Sequence, residues 1–507
     1  MSFLPVDFTL PMDIVLVGVI FTPIAAWLAS KLKVGRVPEA CAVAFLVLSM
    51  ALLFPLYATV REEGPQIVSF ERYLPPLGAC LEIDMLGLFM AFLFTFLGIV
   101  SAIYSIRYME HDTGLTEYYT LLLLMVAGMV GVSFAGDFFT LFVFWEIMSI
   151  SSYALVAFRK ERWEPVEAGL KYIIMSAAGS ASLLLAMSFL YGMTGTLNFA
   201  YIAKGFQATP MSMWMAFTLI LMVIGFGIKA AIAPFHTWLP DAHPAAPSPI
   251  SSMLSGVVIK SGAYGLIRVL SLIFFPLSHI WQPILVGLAL LTMFTGNLMA
   301  LLQKDLKRLL AFSSIAQMGY IVFGFSMGTI NGLTGSLFHI MNHAIMKGLL
   351  FMCAGAFLYA AGSRDLEVLR GVGKKMRVSG LIFAVAALAI AGLPGLNGFM
   401  SEVIWILRAG IEVKMYLPTA LMVFNMLLSV VYYLRAIRII VLEEPSEELR
   451  EVKEVPFSML LPMGVLGALC LIIGLFPSPF VNMANQAARA ALDGAGYISA
   501  LMGGASP

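Results

Sequence analysis

Charge is scarce in this sequence. Only 12% of its 507 residues are Asp, Glu, Lys or Arg, about half the share of a soluble globular domain, so a chain of this length could not cover itself with a solvated surface. The 30 basic residues nearly balance the 29 acidic ones, for a net charge of +1, and once loop cations are assigned to topology no basic face is left for a nucleic-acid partner. Cysteine is scarce as well. Cys41, Cys80, Cys353 and Cys470 lie far apart with no C-x-x-C pair, which argues against an iron–sulfur cluster or a structural zinc and suits small buried hydrophobes. There is no G-x-G-x-x-G or Walker loop, and the string GVGKK at 371–375 lacks the third glycine and lies in a basic loop. No cofactor and no metal site is therefore expected in the chain itself. The first apolar run has Asp7 and Asp13 at its start where a cleavable signal would have lysines, and it is expected to stay as the first helix.

What the sequence has is apolar length: 60% of the residues are hydrophobic. Runs of about 18 or more such residues read as spanning helices. They fall at 11–31, 38–60, 84–106, 118–136, 138–158, 167–192, 213–234, 250–270, 280–302, 309–328, 333–361, 378–405, 416–434 and 456–476. The expectation is an all-α polytopic membrane protein of about fourteen transmembrane helices. Loop charges agree with that count. Nineteen cations, among them Lys31, Lys33, Arg36, Arg107, Arg159, Arg162, Lys307, Arg364 and Arg450, fall on one side, and seven, Arg61, Arg72, Lys204, Arg268, Arg408, Lys414 and Arg489, on the other. By the positive-inside rule the richer side faces the cytoplasm and both termini lie outside.

Four lysines remain in hydrophobic surroundings, Lys171, Lys229, Lys260 and Lys347, together with Glu146, Glu402, His339 and His343. An ionisable group at the bilayer centre is costly unless paired or hydrated, and its default reading is functional. Lys171, near the end of its span, suits an interhelical ion pair or snorkelling equally well. Pro234 interrupts the helix just after Lys229 and is expected to free the carbonyl four residues earlier, and Pro394, among three glycines, interrupts another just before Glu402. Both breaks suggest hydrated sites. His339, His343 and Lys347 follow at four-residue steps, one polar stripe along a helix and a proton ladder in composition.

The two broken spans are the seventh and the twelfth, five apart, so a duplication would cover helices 4–8 and 9–13. Because five is odd the second copy would enter from the opposite side, giving two inverted five-helix repeats. The expected division is 1–110 for helices 1–3, 111–272 and 273–442 for the repeats, and 443–507 for helix 14 and a tail.

The strings FWEIMSISSY, IKAAIAPFHTWLPDAHPAAPSPISSMLSGVVIKSGAYGLIR, DLKRLLAFSSIAQMGY and NHAIMKGLLF resemble the antiporter-like membrane subunits shared by respiratory complex I, Mrp-type cation/proton antiporters and membrane-bound hydrogenases. The resemblance runs from about 84 to 440. It implies an ion-translocating subunit, carrying H⁺ and in some branches exchanging it for Na⁺, without a redox site of its own but belonging to an ion-pumping oxidoreductase or antiporter complex. Its implied partners are other membrane subunits and a peripheral redox module, and its implied location is the cell membrane. It also implies that Glu146 and Lys229 form a coupled pair, that Lys260 links the two halves, and that His339, His343, Lys347 and Glu402 complete the path. A self-sufficient cation/proton transporter is the alternative, and a quinone-binding subunit a third.

Overall fold

The computed structural model describes residues 10–32, 35–69, 75–76, 78–208, 211–449 and 451–503; the basic positions Lys33, Arg72 and Arg450 lie outside them. The chain is almost entirely helical. In order it forms α1 (Leu10–Leu32), α2 (Val37–Glu63), a hairpin of β1 (Gln66–Ser69) and β2 (Cys80–Ile83), α3 (Met85–Tyr108), α4 (Leu115–Phe134), α5 (Phe138–Val156), α6 (Trp163–Thr194), α7 (Phe199–Ala208), α8 (Met213–Lys229) and α9 (Leu239–Ala245). There follow α10 (Ser248–Leu272), α11 (Ser278–Leu301), α12 (Leu306–Ser326), α13 (Ile330–Ala361), α14 (Arg377–Ile390), α15 (Tyr416–Leu442), α16 (Phe457–Leu475), α17 (Ser478–Leu492) and α18 (Gly494–Gly503).

Among the described residues twelve helices are long and apolar enough to cross a membrane, and α8 and α14 are shorter apolar helices. These two are the first halves of the spans expected to be broken. The antiparallel hairpin, pairing Gln66 with Ile83 and Ser69 with Cys80, was not foreseen, because four-residue strands between long apolar runs carry almost no periodic signal. The tail forms two helices, α17 and α18.

Helix starts follow from short side chains that accept amide hydrogen bonds. Asp84 caps α3 through Gly87 N, Asp137 caps α5 through Thr140 N, Asp305 caps α12 through Arg308 N and Thr329 caps α13 through Gly332 N. The central helices α10, α12 and α13 are enclosed by the others, whereas α1, α2 and α6 leave much of their apolar surface facing outward. Without a hydrophobic force between helices in lipid, close packing and interhelical hydrogen bonds have to hold them together.

Several local features occur twice. Asp137 and Asp305 cap α5 and α12, and each belongs to a single antiparallel bridge, with Asn198 and with Asp365. The long helices α6 and α13 both span 32 residues and both end at a left-handed glycine, Gly195 and Gly362. The two breaks share one hydrogen-bond pattern. After α8, Ala230 N bonds Phe226 O, Ala231 N bonds Ile228 O and Ile232 N bonds Gly227 O; after α14, Ala391, Gly392 and Leu393 do the same with Ala387, Ala389 and Leu388. The left-handed position of this turn is Ala231 (φ 52°) in one and Gly392 (φ 78°) in the other.

Candidate buried polar axis

The geometry begins at the first break. Pro234 was expected to free a carbonyl that protein or water would have to cover, and protein groups bond the backbone around the break. Trp238 Nε1 donates to Ile228 O at 2.9 Å, and Ala233 N donates to Thr292 Oγ1 of α11 at 3.0 Å. The Trp238 indole also stacks on Tyr172, with ring centroids 4.0 Å apart and planes 3° from parallel. One residue of the H-T-W-L-P-D-A-H string thus seals the break and braces the ring beside Lys229. The void bordered by Trp145, Tyr172, Ser176 and Lys229 is too small to hold a water.

Lys229 and Glu146, expected as a coupled pair, make no direct ion pair in this arrangement. Lys229 Nζ donates to the Tyr172 hydroxyl at 3.0 Å and lies 5.7 Å from the centroid of the Trp145 ring. Glu146 is half-buried and accepts from Ser180 Oγ at 2.5 Å. The Tyr172 hydroxyl continues to Ser152 Oγ at 3.0 Å. Tyr172 therefore occupies the place in which sequence reasoning put the carboxylate, and with one aromatic hydroxyl among seventeen tyrosines the sequence offered little to single it out. Lys171 is about half exposed and pairs with Glu167 and Asp241, each at 2.9 Å. That is the ion-pair alternative, and it leaves Lys171 off the axis.

Lys260 sits at the centre, fully buried. Its helix contains a π-helical stretch, Leu254–Val258, and π turns leave carbonyls without their usual α-helical partners. Lys260 Nζ bonds the Ser255 carbonyl and, across the helix interface, His343 Nδ1. His343 and His339 stand one turn apart with ring centroids 6.0 Å from each other. His339 is held at both nitrogens, by Ser401 Oγ at 2.9 Å and Gln317 Oε1 at 2.7 Å, and its Nε2 lies 3.8 Å from Glu402 Oε1. Lys347 branches from the stripe, donating to Leu310 O at 2.9 Å and to the Tyr433 hydroxyl at 3.0 Å, which meets Ser313 Oγ at 2.6 Å.

Glu402 also rides a π-helical stretch, Met400–Leu407. It is buried beside its own break: a Cβ on Gly392 would stand 3.6 Å from Glu402 Oε2. Four of the seven residues proposed from sequence, Lys260, His343, His339 and Glu402, thus form one buried run of side chains, with Lys347 one turn along α13 from His343, while Lys229 and Glu146 form a neighbouring pair of sites joined through α6. On α6, Tyr172, Ser176 and Ser180 stand at the same distances from the helix start as His339, His343 and Lys347 do on α13. The two helices carry one stripe each, hydroxylic in α6 and ionisable in α13.

Two cations assigned to loops are in fact inside. Lys307 is buried and donates to Ala246 O at 2.6 Å. Arg268, at the far end of α10, makes a two-pronged pair with Asp84, at 2.7 and 2.6 Å. Beside that pair, outside the spans, Glu82 is buried with neither oxygen hydrogen-bonded. Burial pushes its carboxyl up to about 8, against the lowering influence of the Arg268 charge. Among the described residues no group of three His, Cys, Asp or Glu side chains could hold a metal.

Two family models match the chain: "NADH:quinone oxidoreductase/Mrp antiporter, TM" over residues 135–429, more than half of it, and "NADH-Ubiquinone oxidoreductase (complex I), chain 5 N-terminus" over 76–119. NADH-quinone oxidoreductase subunit N of Desulforudis audaxviator is 34% identical over 495 residues, covering 94% of this chain and 98% of that one. F(420)H(2) dehydrogenase subunit N of Methanosarcina mazei is 32% identical, covering 87% and 91%. Among solved structures, a chain of the membrane-bound sulfane sulfur reductase, an archaeal respiratory membrane complex, superposes with a TM-score of 0.88 at 29% identity over 98% of this chain and 99% of that one.

Proposed function

The chain belongs to the NADH:quinone oxidoreductase/Mrp antiporter membrane family, and on that premise we propose that it is the ion-translocating membrane subunit of a multisubunit energy-converting complex. The observation that carries the reading is the contact between Lys260 and His343, which joins α10 to α13 through two buried ionisable groups and runs on through His339 to Glu402. A string of such groups at membrane depth is expensive as scaffolding and suited to passing protons. The transported ion is H⁺, with Na⁺ as the exchanged ion in an antiporter setting. NADH-quinone oxidoreductase subunit N and F(420)H(2) dehydrogenase subunit N, two of the similar chains, are by name subunits of redox enzymes, which favours a peripheral redox module as the energy source.

The paired caps, glycine-ended long helices and breaks favour two inverted five-helix repeats at 111–272 and 273–442, flanked by 1–110 and 443–507. Charge bias favours the cell membrane with both termini outside. In this arrangement Lys229 is held by Tyr172 and Glu146 by Ser180, the disengaged position of a switch. Rotation of either side chain to form the direct pair would favour both charges at once, and would send a charge change towards Lys260 and the α13 stripe.

A free-standing transporter fits less well. Glu146 is half-buried on a face of α5 that also carries the exposed Phe139, Val143 and Ile150, and a carboxylate on a lipid-facing apolar stripe is costly unless another subunit covers it. The test is proton translocation by the assembled complex in sealed vesicles. Lys260→Ala should abolish it with assembly intact, and undiminished translocation by a co-purifying Lys260→Ala complex would refute the axis.

A further inference from the structure

One fully buried titratable side chain has no place in that axis. His243 ends the H-T-W-L-P-D-A-H string and sits on α9, beyond the first break. It is wholly excluded from solvent, its ring lies on Phe351 with centroids 4.4 Å apart, and neither ring nitrogen has a hydrogen-bond partner. A buried polar atom left idle costs on the order of 1–3 kcal/mol, so a leucine or phenylalanine would serve packing alone better.

Its surroundings suggest what the imidazole is for. Phe351, on which the ring lies, stands one turn after Lys347 on α13, and the charges whose field acts on His243 are those of Lys307 on α12, Lys347 on α13 and Lys260 on α10. Lys307 bonds the carbonyl of Ala246, three residues after His243. The residues between, Pro244 and Ala245, together with Ala246, border a polar cavity of about 390 Å³ that opens on the face of the basic loops, with Arg159, Arg364 and Asp305 across it. Arg364 braces that mouth, donating to Pro244 O at 2.5 Å and meeting Asp305 at 3.0 Å. A second polar cavity of about 610 Å³ adjoins it through Arg159 and Arg162. Bulk water thus reaches the residue next to His243, whose ring lies on Phe351, one turn from Lys347.

We propose that His243 is a proton carrier between this cavity and the central lysines, with Lys307 as its donor, forming an inlet separate from the Glu146–Lys229 end. The proposal rests on the ion-translocating reading above. The Lys307 ammonium gives a proton through a bridging water to one imidazole nitrogen of His243, and the resulting amine is reprotonated by water entering from the cavity. The other imidazole nitrogen releases its proton to a neutral Lys260 or Lys347, through a bridging water where the gap exceeds hydrogen-bond reach.

The experiment uses the assembled complex in sealed vesicles with an internal pH dye, driven by the complex's own substrate, and assembly is checked by co-purification. His243→Gln should slow proton translocation by roughly 10²-fold, the scale of losing a positioned proton-transfer group. His243→Ala should slow it equally and recover in part when imidazole is added, a rescue that a purely structural role would not produce. Full-rate translocation by His243→Gln overturns the proposal, as does a loss in an assembled His243→Ala complex that imidazole does not relieve. Should the alanine variant fail to assemble, infrared difference spectra decide. An imidazole band that responds to turnover and is absent in His243→Gln supports the carrier, and identical spectra refute it. Lys260→Ala separates the two readings, because translocation surviving in that variant would overturn the axis itself, whereas its loss beside a fully active His243→Gln would overturn only the inlet.

Discussion

At the scale of single residues, the energetics turn on which buried polar atoms have partners. Glu402 Oε1 and Gln317 Nε2 are both buried without a hydrogen bond, while His339 beside them is bonded at both nitrogens. A side chain that is fully satisfied holds its position, and one that is not is ready to take a proton or an ion. Glu402→Gln should therefore keep the fold, since shape and hydrogen-bonding capacity survive, and stop translocation; a well-assembled variant that still pumps would remove Glu402 from the path. Glu82 allows a prediction with a definite sign. Its carboxyl is raised from 4.5 to about 8 in the folded chain, so the stability it lends is fully present below pH 4.5 and is lost as pH climbs through about 8. The groups facing it are Tyr497 on α18, Arg268 on α10 and Asp84 at the start of α3. Hydrogen exchange over Gly494–Gly503 should accelerate as the pH is raised across this window, after correction for intrinsic rates, and Glu82→Gln should flatten the response. A pH response unchanged in the variant would assign the effect to another group.

At the scale of elements, the breaks are built by backbone geometry that few side chains tolerate. Ala231 holds a left-handed φ of 52°, where a Cβ costs about 1–2 kcal/mol; the matching position after α14 is already glycine. Ala231→Gly should raise thermal stability modestly, by about 1 kcal/mol or less once the added chain entropy is counted, without altering the break. The second break constrains Gly398 in the opposite way, because a Cβ there would lie 2.0 Å from Ala389 O. Gly398→Ala should force the segment carrying Glu402 away from α14 and destabilise by about 1–3 kcal/mol. Unchanged melting of Gly398→Ala in detergent would contradict this packing. Both breaks were legible in the sequence because proline and glycine act locally. Their covering was not: the partners of the first break are Trp238, ten residues from the carbonyl it bonds, and Thr292, 59 residues from the amide it accepts.

At the scale of the whole molecule, the lateral face of α5 indicates assembly. Phe139, Val143 and Ile150 are exposed on the face that also bears Glu146, and a neighbouring subunit there would shield the carboxylate from lipid. A cysteine at Val143 should cross-link to an adjacent membrane subunit in the assembled complex and to nothing when the chain is purified alone; failure to cross-link in the complex would place the neighbour elsewhere. The buried Asp84–Arg268 pair works at the same scale, tying the start of α3 to the end of α10 across 184 residues. Removing one partner, as in Asp84→Asn, leaves an uncompensated charge.

The sequence by itself determined the mostly helical membrane architecture, both breaks and which ionisable residues lie among apolar ones. Each of these is written in local terms, as apolar run length, as proline and glycine, or as a charge where charge is costly. Only the tertiary structure decided who meets whom. It placed Tyr172 rather than Glu146 against Lys229, took Lys307 and Arg268 out of the loops and into the interior, and left His243 idle among three lysines. The physical reason is that a buried charge chooses its partner by helix packing. The contact between Lys260 and His343 joins residues 83 apart in the chain, and no period or spacing along one helix encodes which face of another it will meet.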